Sequence, residues 1–164
     1  MDSNLVEIEK KVYKKCSLEI NHFNKESESK EYNASQFKLN NKNVLCRTAK
    51  VTPKKTGQFV TFWRRNSKGI IEPYNDLDTI DFYIINVCTE SKLGQFVFPK
   101  SILIKKGIIS TTKKEGKRGF RVYPIWDSAK NKQAIQTQTW QLNYFYEVNK
   151  DVDLDKVKAL YSAK

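Results

Sequence analysis

Four short segments place cationic side chains beside planar ones: Lys50 with Lys54 and Lys55; Trp63-Arg64-Arg65; Lys113-Lys114-Glu115-Gly116-Lys117-Arg118; and Phe120-Arg121-Val122-Tyr123-Pro124-Ile125-Trp126. Ammonium and guanidinium groups neutralise phosphates, and aromatic faces or guanidinium planes stack unpaired bases. Interleaved along strands, the two chemistries form a face suited to RNA or single-stranded DNA. Trp63 and Phe120 taken singly are more readily core residues than stacking platforms. The loops carrying Lys54, Lys55 and Lys113 to Arg118 hold only one acid and read as surface charge. The candidate nucleic-acid-binding set is therefore Lys50, Lys54, Lys55, Trp63, Arg64, Arg65, Lys113, Lys114, Lys117, Arg118, Arg121, Tyr123 and Trp126.

Other chemistries find less support. A metal-dependent nuclease needs an aspartate at the mouth of one strand and Asp/Glu-x-Lys on its neighbour, so that carboxylates hold Mg²⁺ and lysine assists the attacking water. Asp81, Glu90-Ser91-Lys92 and Glu115-Gly116-Lys117 supply the letters. Asp81 and Glu90, however, end the same predicted strand roughly 30 Å apart, too far to share an ion. On the following strand the corresponding positions read Gln95-Phe96-Val97, with no charge to bind metal. A displaced Mg²⁺ site using Asp81 with Glu90 or Glu115 is the alternative reading; a module docking its basic face on an acidic protein is a third. Two fragments, Lys55 with Phe59-Val60-Thr61-Phe62 and Arg118-Gly119-Phe120, echo the RNA-recognition-motif signature, but both lack its small fourth residue. His22 is the sole histidine, which removes most His-based zinc sites and triads. Cys16, Cys46 and Cys88 are too widely spaced for CxxC chemistry, and their odd number argues against a disulfide framework. No catalytic residue, metal ligand or cofactor is assigned.

Bulk charge agrees with a polyanion partner. The chain carries 30 Lys+Arg against 18 Asp+Glu. Residues 36–130 hold 19 of the basic and 7 of the acidic groups, so the whole excess lies in that stretch. Such a regional field attracts nucleic acid. At 164 residues the chain is expected to form one domain, 1–164. No apolar run is long enough to span a bilayer, and no leader segment is evident at Met1-Asp2-Ser3-Asn4, so the expectation is a cytoplasmic protein with no membrane contact.

These residues need elements to hold them. Leu5, Ile8, Val12, Cys16, Ile20 and Phe23 recur at helical spacing, predicting an amphipathic helix over 4–23 with a capping box from Asn4 to Glu7. Residues 24–33 are polar and aperiodic and read as a mobile loop. Strands are predicted over 44–51 and 58–65, folded about Thr52-Pro53-Lys54-Lys55-Thr56-Gly57 so that Cys46 faces Trp63, Thr48 faces Thr61 and Lys50 faces Phe59. Ile80 to Thr89 reads as a central strand buried on both faces. A strand over 95–98, a short helix over 99–106 and a strand over 118–123 follow. Residues 128–147 read as helix by length, although Trp140, Leu142, Tyr144, Tyr146 and Val148 alternate like a strand. Residues 149–164 read as a peripheral C-terminal segment with an aspartate-capped helix. The order predicts an α+β (mixed α/β) fold, a central mixed sheet flanked by helices.

Tyr32-Asn33-Ala34-Ser35-Gln36-Phe37, the run from Ala49 through Lys54-Lys55-Thr56-Gly57-Gln58-Phe59 to Trp63, Gly94-Gln95-Phe96-Val97-Phe98-Pro99-Lys100 and Lys117-Arg118-Gly119-Phe120-Arg121-Val122-Tyr123-Pro124 closely resemble the MepB family. That bacterial family is named for a multidrug-efflux operon, which also encodes a repressor and a pump. The resemblance spans roughly residues 5 to 148. It implies a fold similar to the PD-(D/E)XK (restriction-endonuclease-like) enzymes and nucleic-acid binding in place of cleavage, with a role in the response to antimicrobials as a further expectation. Gln95-Phe96-Val97 fits a nuclease-like scaffold without its metal site.

Overall fold

A computed structural model describes residues 1–163. The chain begins with α1 (Ser3–Ile8), followed by β1 (Ile20–Lys25), β2 (Ser35–Leu39), β3 (Lys42–Thr48), β4 (Lys50–Val51), β5 (Gln58–Thr61), β6 (Trp63–Arg65) and β7 (Ile71–Pro73). Then come β8 (Phe82–Cys88), β9 (Leu93–Pro99), α2 (Lys100–Lys105), β10 (Gly119–Val122), α3 (Lys132–Gln141), β11 (Phe145–Glu147) and α4 (Leu154–Tyr161). Six strands form a central mixed sheet in the order β1-β2-β3-β8-β9-β11. Only β3 and β8 run parallel within it; the other neighbours are antiparallel. The connection between these two central strands, residues 49–81, carries β4 to β7.

The expected two-sided burial of β8 is observed, since residues 82 to 87 are all buried. One face of the sheet packs Val44, Phe82, Ile84 and Val97 against Leu5, Ile8 and Val12 and against Val157 and Leu160 of α4. The other face packs Leu45, Tyr83, Ile85, Phe96 and Phe98 against a second sheet, β10-β5-β4, through Val60, Phe62, Phe120 and Val122. A two-stranded ribbon, β6-β7, stands apart from both. This is the α+β architecture the sequence predicts.

Several boundaries differ, each for a local reason. The N-terminal helical path stops after Cys16, where Ser17 turns left-handed (φ 56°) and the Leu18 N–H donates to the Tyr13 carbonyl at 2.9 Å. Asp2, not Asn4, caps it, accepting from the N–H groups of Asn4 and Leu5. Ile20 and Phe23 lie on β1 instead. An irregularity between Asn21 and Asn24, with His22 at φ 55°, lets two strand residues three apart reach the same core and so imitate a helix. Residues 24–33, expected as a mobile loop, finish β1 and form a tight turn over Lys30–Tyr32. Glu26 binds Arg47, Glu28 binds Arg65, and Ser29 accepts from Thr61.

The long hairpin over 44–65 is replaced by a short one. Lys50 does pair with Phe59, but Cys46 pairs with Ser35 and Ile84, Thr48 with Asn86, and Thr61 with Gly119. The chain leaves the central sheet at Ala49, whose N–H donates to Asn86 at 2.9 Å. Residues 128–147 contain both predicted periodicities in succession: α3, a tight turn over Leu142–Tyr144, then β11. The C-terminal segment is not peripheral, because Val157, Leu160 and Tyr161 are buried in the main core. Lys164 lies outside the described residues.

Candidate nucleic-acid interface

The small sheet alternates as its sequence dictates. Gln58, Val60, Phe120 and Val122 turn inward and are buried. Register sets Lys50, Phe59 and Arg121 side by side in one row across the opposite face. Gly119 is needed beside them: a Cβ there would come within 2.6 Å of the Phe59 ring. Helix α3 closes the free edge of β10 with side chains in place of a strand. The Gln141 amide donates to the Arg121 carbonyl and accepts from the Tyr123 N–H, both at 2.9 Å, while Gln138 donates to the carbonyls of Pro124 (3.0 Å) and Asp127 (2.9 Å).

Between the small sheet, α3 and residues 106–119 lies a cleft of about 470 Å³. Lys55, Lys106, Lys117 and Arg121 line it together with the half-buried rings of Phe59, Tyr123 and Trp140, and no aspartate or glutamate lines it. The Lys106 ammonium sits 5.3 Å from the Trp140 ring centre, at cation–π distance. Among the described residues none of Lys54, Lys55, Lys106, Lys113, Lys114 or Lys117 forms an ion pair.

Arg121 belongs to the cleft but is already engaged. Its guanidinium donates to Thr52 Oγ1 (2.6 Å), the Thr56 carbonyl (3.1 Å) and the Gly57 carbonyl (3.2 Å). Gly57 adopts φ 82°, and the Tyr123 ring lies 2.7 Å from where a Cβ would be, so only glycine fits. Asp127 completes the clamp: burial pushes its carboxyl above the ordinary value, opposed by the Gly57 N–H and by Arg121. Arg121 thus fixes the turn that presents Lys54 and Lys55.

The cleft gathers Lys55, Lys117, Arg121 and Tyr123 from the predicted set, with Lys54 on the adjoining turn. Lys50 lies on the same small sheet, its ammonium 5.1 Å from the Tyr32 ring centre. Lys113 and Lys114 occupy the loop before β10, the Lys114 side chain lying over Gly107. Arg118 faces solvent in a 2.8 Å pair with Glu115. Trp63, Arg64 and Arg65 are elsewhere, on the ribbon, where Arg64 binds Glu72 (3.2 Å) and Asp78, and Arg65 binds Glu28 (2.5 Å) while covering the Trp63 ring at 5.5 Å. Trp126 packs against Phe145 (5.8 Å) with its indole nitrogen buried, outside the cleft. Sequence reasoning missed Lys106, Phe59 and Trp140. The missed signal was the spacing Gln133, Thr137, Trp140, one face of a helix at i, i+4, i+7.

The carboxylates weighed for metal binding are dispersed. Asp81 accepts from the Asn43 N–H at 2.8 Å, Glu90 sits in the exposed turn after β8, and Glu115 pairs with Arg118. Gln95 lies in a buried polar row that crosses four strands by register: Thr48, Asn86, Gln95, Tyr146. Its amide donates to Asn86 (2.8 Å), and its carbonyl accepts from the hydroxyls of Tyr146 (2.5 Å), Tyr161 (2.6 Å) and Tyr13 (3.2 Å). Burial raises all three phenols well above their ordinary pKa and pushes the Cys46 thiol up to about 12, so the row is neutral. Among the described residues no group of three or more His, Cys, Asp or Glu is placed to hold a metal ion. No described helix is long and apolar enough to cross a membrane.

A family model described as MepB-like matches residues 26–147. The crystal structure of MepB aligns with a TM-score of 0.79 and 34% sequence identity, covering 92% of this chain and 100% of that one. No curated protein matches the sequence.

Proposed function

Because the chain belongs to the MepB-like family, we propose that it binds nucleic acid through the basic cleft, prefers RNA or single-stranded DNA to duplex, and does not cut what it binds. The observation that carries this reading is the lining of the cleft: four cations, three partly exposed rings and no acid. A duplex hides its base faces and offers mainly phosphates. An unpaired strand can rest bases on Trp140, Phe59 or Tyr123 and its phosphates on Lys55, Lys106 and Lys117. The scaffold is read as nuclease-like with its metal position taken by Gln95, and the neutral, tyrosine-sealed row supports that reading.

One titration tests all three parts. Purified protein is mixed with labelled duplex, single-stranded DNA and RNA of equal length, with and without Mg²⁺. Tighter binding of the unpaired strands, weakening with salt and leaving them intact, is expected. Equal affinity for duplex would remove the stacking component. Fragments that appear only with Mg²⁺ would instead establish a displaced nuclease site.

A further inference from the structure

Helix α3 contributes one wall of the cleft, and its polar side chains divide sharply in use. Some are committed to backbone: Gln138 donates to three backbone carbonyls, both ends of the Gln141 amide are bonded to the backbone of Arg121 and Tyr123, and Asn131 caps the helix through the Ala134 N–H at 2.8 Å. Gln133 and Thr137 line the cleft, and neither side chain makes a hydrogen bond. They lie two turns and one turn before Trp140, respectively, on the same helical face. An indole, a free hydroxyl and a free carboxamide thus follow one another along a single wall, facing cations contributed by other elements. Stacking rings and lysines carry no hydrogen-bond code; a carboxamide supplies one, a donor and an acceptor side by side, which matches the Hoogsteen edge of adenine but not the two acceptors of guanine or the single polar group that pyrimidines show there.

We infer that Gln133, assisted by Thr137, reads the edge of a base stacked in the cleft and gives the protein a preference for adenine. The inference rests on the cleft being the nucleic-acid site. A glutamine amide pairs in two places with adenine, donating from Nε2 to the ring nitrogen N7 and accepting at Oε1 from the exocyclic amine N6. Thr137, one turn further along the wall, offers a hydroxyl that either donates or accepts.

The test compares short RNA homopolymers of A, C and U against the full chain and Gln133→Ala. Gln133 is exposed and alanine favours helix, so the variant keeps its fold. The full chain is expected to favour oligo(A) over oligo(U) by roughly tenfold, the size of one good bidentate base contact. In Gln133→Ala that ratio should fall to near one, with oligo(U) affinity and the slope of log affinity against log salt unchanged. Thr137→Val should narrow the ratio less. A homopolymer preference that survives Gln133→Ala, or its absence from the full chain, overturns the inference while leaving nucleic-acid binding intact. Failure of all three homopolymers to bind would overturn the reading of the cleft itself.

Discussion

The molecule has two arginine- and lysine-rich regions that look alike as sequence and differ as physics. On the β6–β7 ribbon both arginines are answered: Arg64 by Glu72 and Asp78, Arg65 by Glu28 and the face of Trp63. Around the cleft the lysines come from three separate stretches of chain and none has a carboxylate partner among the described residues. A paired cation projects little field, whereas an unpaired one is free to neutralise a phosphate and release the cations condensed on the strand. Density of positive residues therefore marks both regions, but only unneutralised charge marks a place for a polyanion.

Charge reversal should break this contrast most visibly. Lys55→Glu combined with Lys117→Glu is expected to weaken single-strand binding roughly tenfold or more at low salt, and to flatten the salt dependence by about 1.4 in slope, two contacts at roughly 0.7 each. A smaller effect is expected from Trp140→Leu, which keeps apolar packing against Phe98, 5.6 Å away, but removes the indole. It should cost about 1–3 kcal/mol of single-strand affinity and leave duplex affinity unchanged, as read in parallel titrations. Arg64→Gln with Arg65→Gln should do the reverse. Denaturant unfolding should reveal a loss of about 1 kcal/mol, since these pairs are partly exposed, while affinity stays within about twofold. A loss of affinity as large as that of the lysine pair would erase the distinction between the regions. The smallest effect is assigned to Arg121→Lys, which retains charge but loses the planar fork. Affinity should drop by about twofold to threefold with the salt slope unchanged, and hydrogen exchange should quicken at residues 54–57.

The contrast also explains which parts of the structure were legible in sequence. Strand β8 was legible because burial on both faces leaves an apolar run, and Lys50 opposite Phe59 followed from the predicted hairpin, whereas the arrival of Arg121 beside them depends on a pairing between distant strands that no local pattern gives. Ion pairing was not legible, since Glu28, Glu72 and Asp78 reach the ribbon from loops whose course only tertiary structure decides. Helix α3 was legible by length within 128–147, but its inward face was not: that face is built from Ala134, Gln138 and Gln141, with amides standing in for a missing strand, so no apolar stripe announces it. The end of the N-terminal helix was masked by the β1 irregularity, which spaces Ile20 and Phe23 as a helix would.

The parallel pairing of β3 with β8 has a kinetic consequence. Strands β8 and β9 are joined by a tight turn and need close only a short loop, but β3 can meet β8 only after residues 49–81 have been looped out between them. The cleft is more remote still, since it needs that looped segment, β10 and α3 to arrive together. Contacts between distant parts of a chain are the slowest to organise. The binding face is thus a late product of folding, assembled on a sheet that is already standing, and a bound strand should prolong the native state by slowing unfolding rather than by hastening its formation.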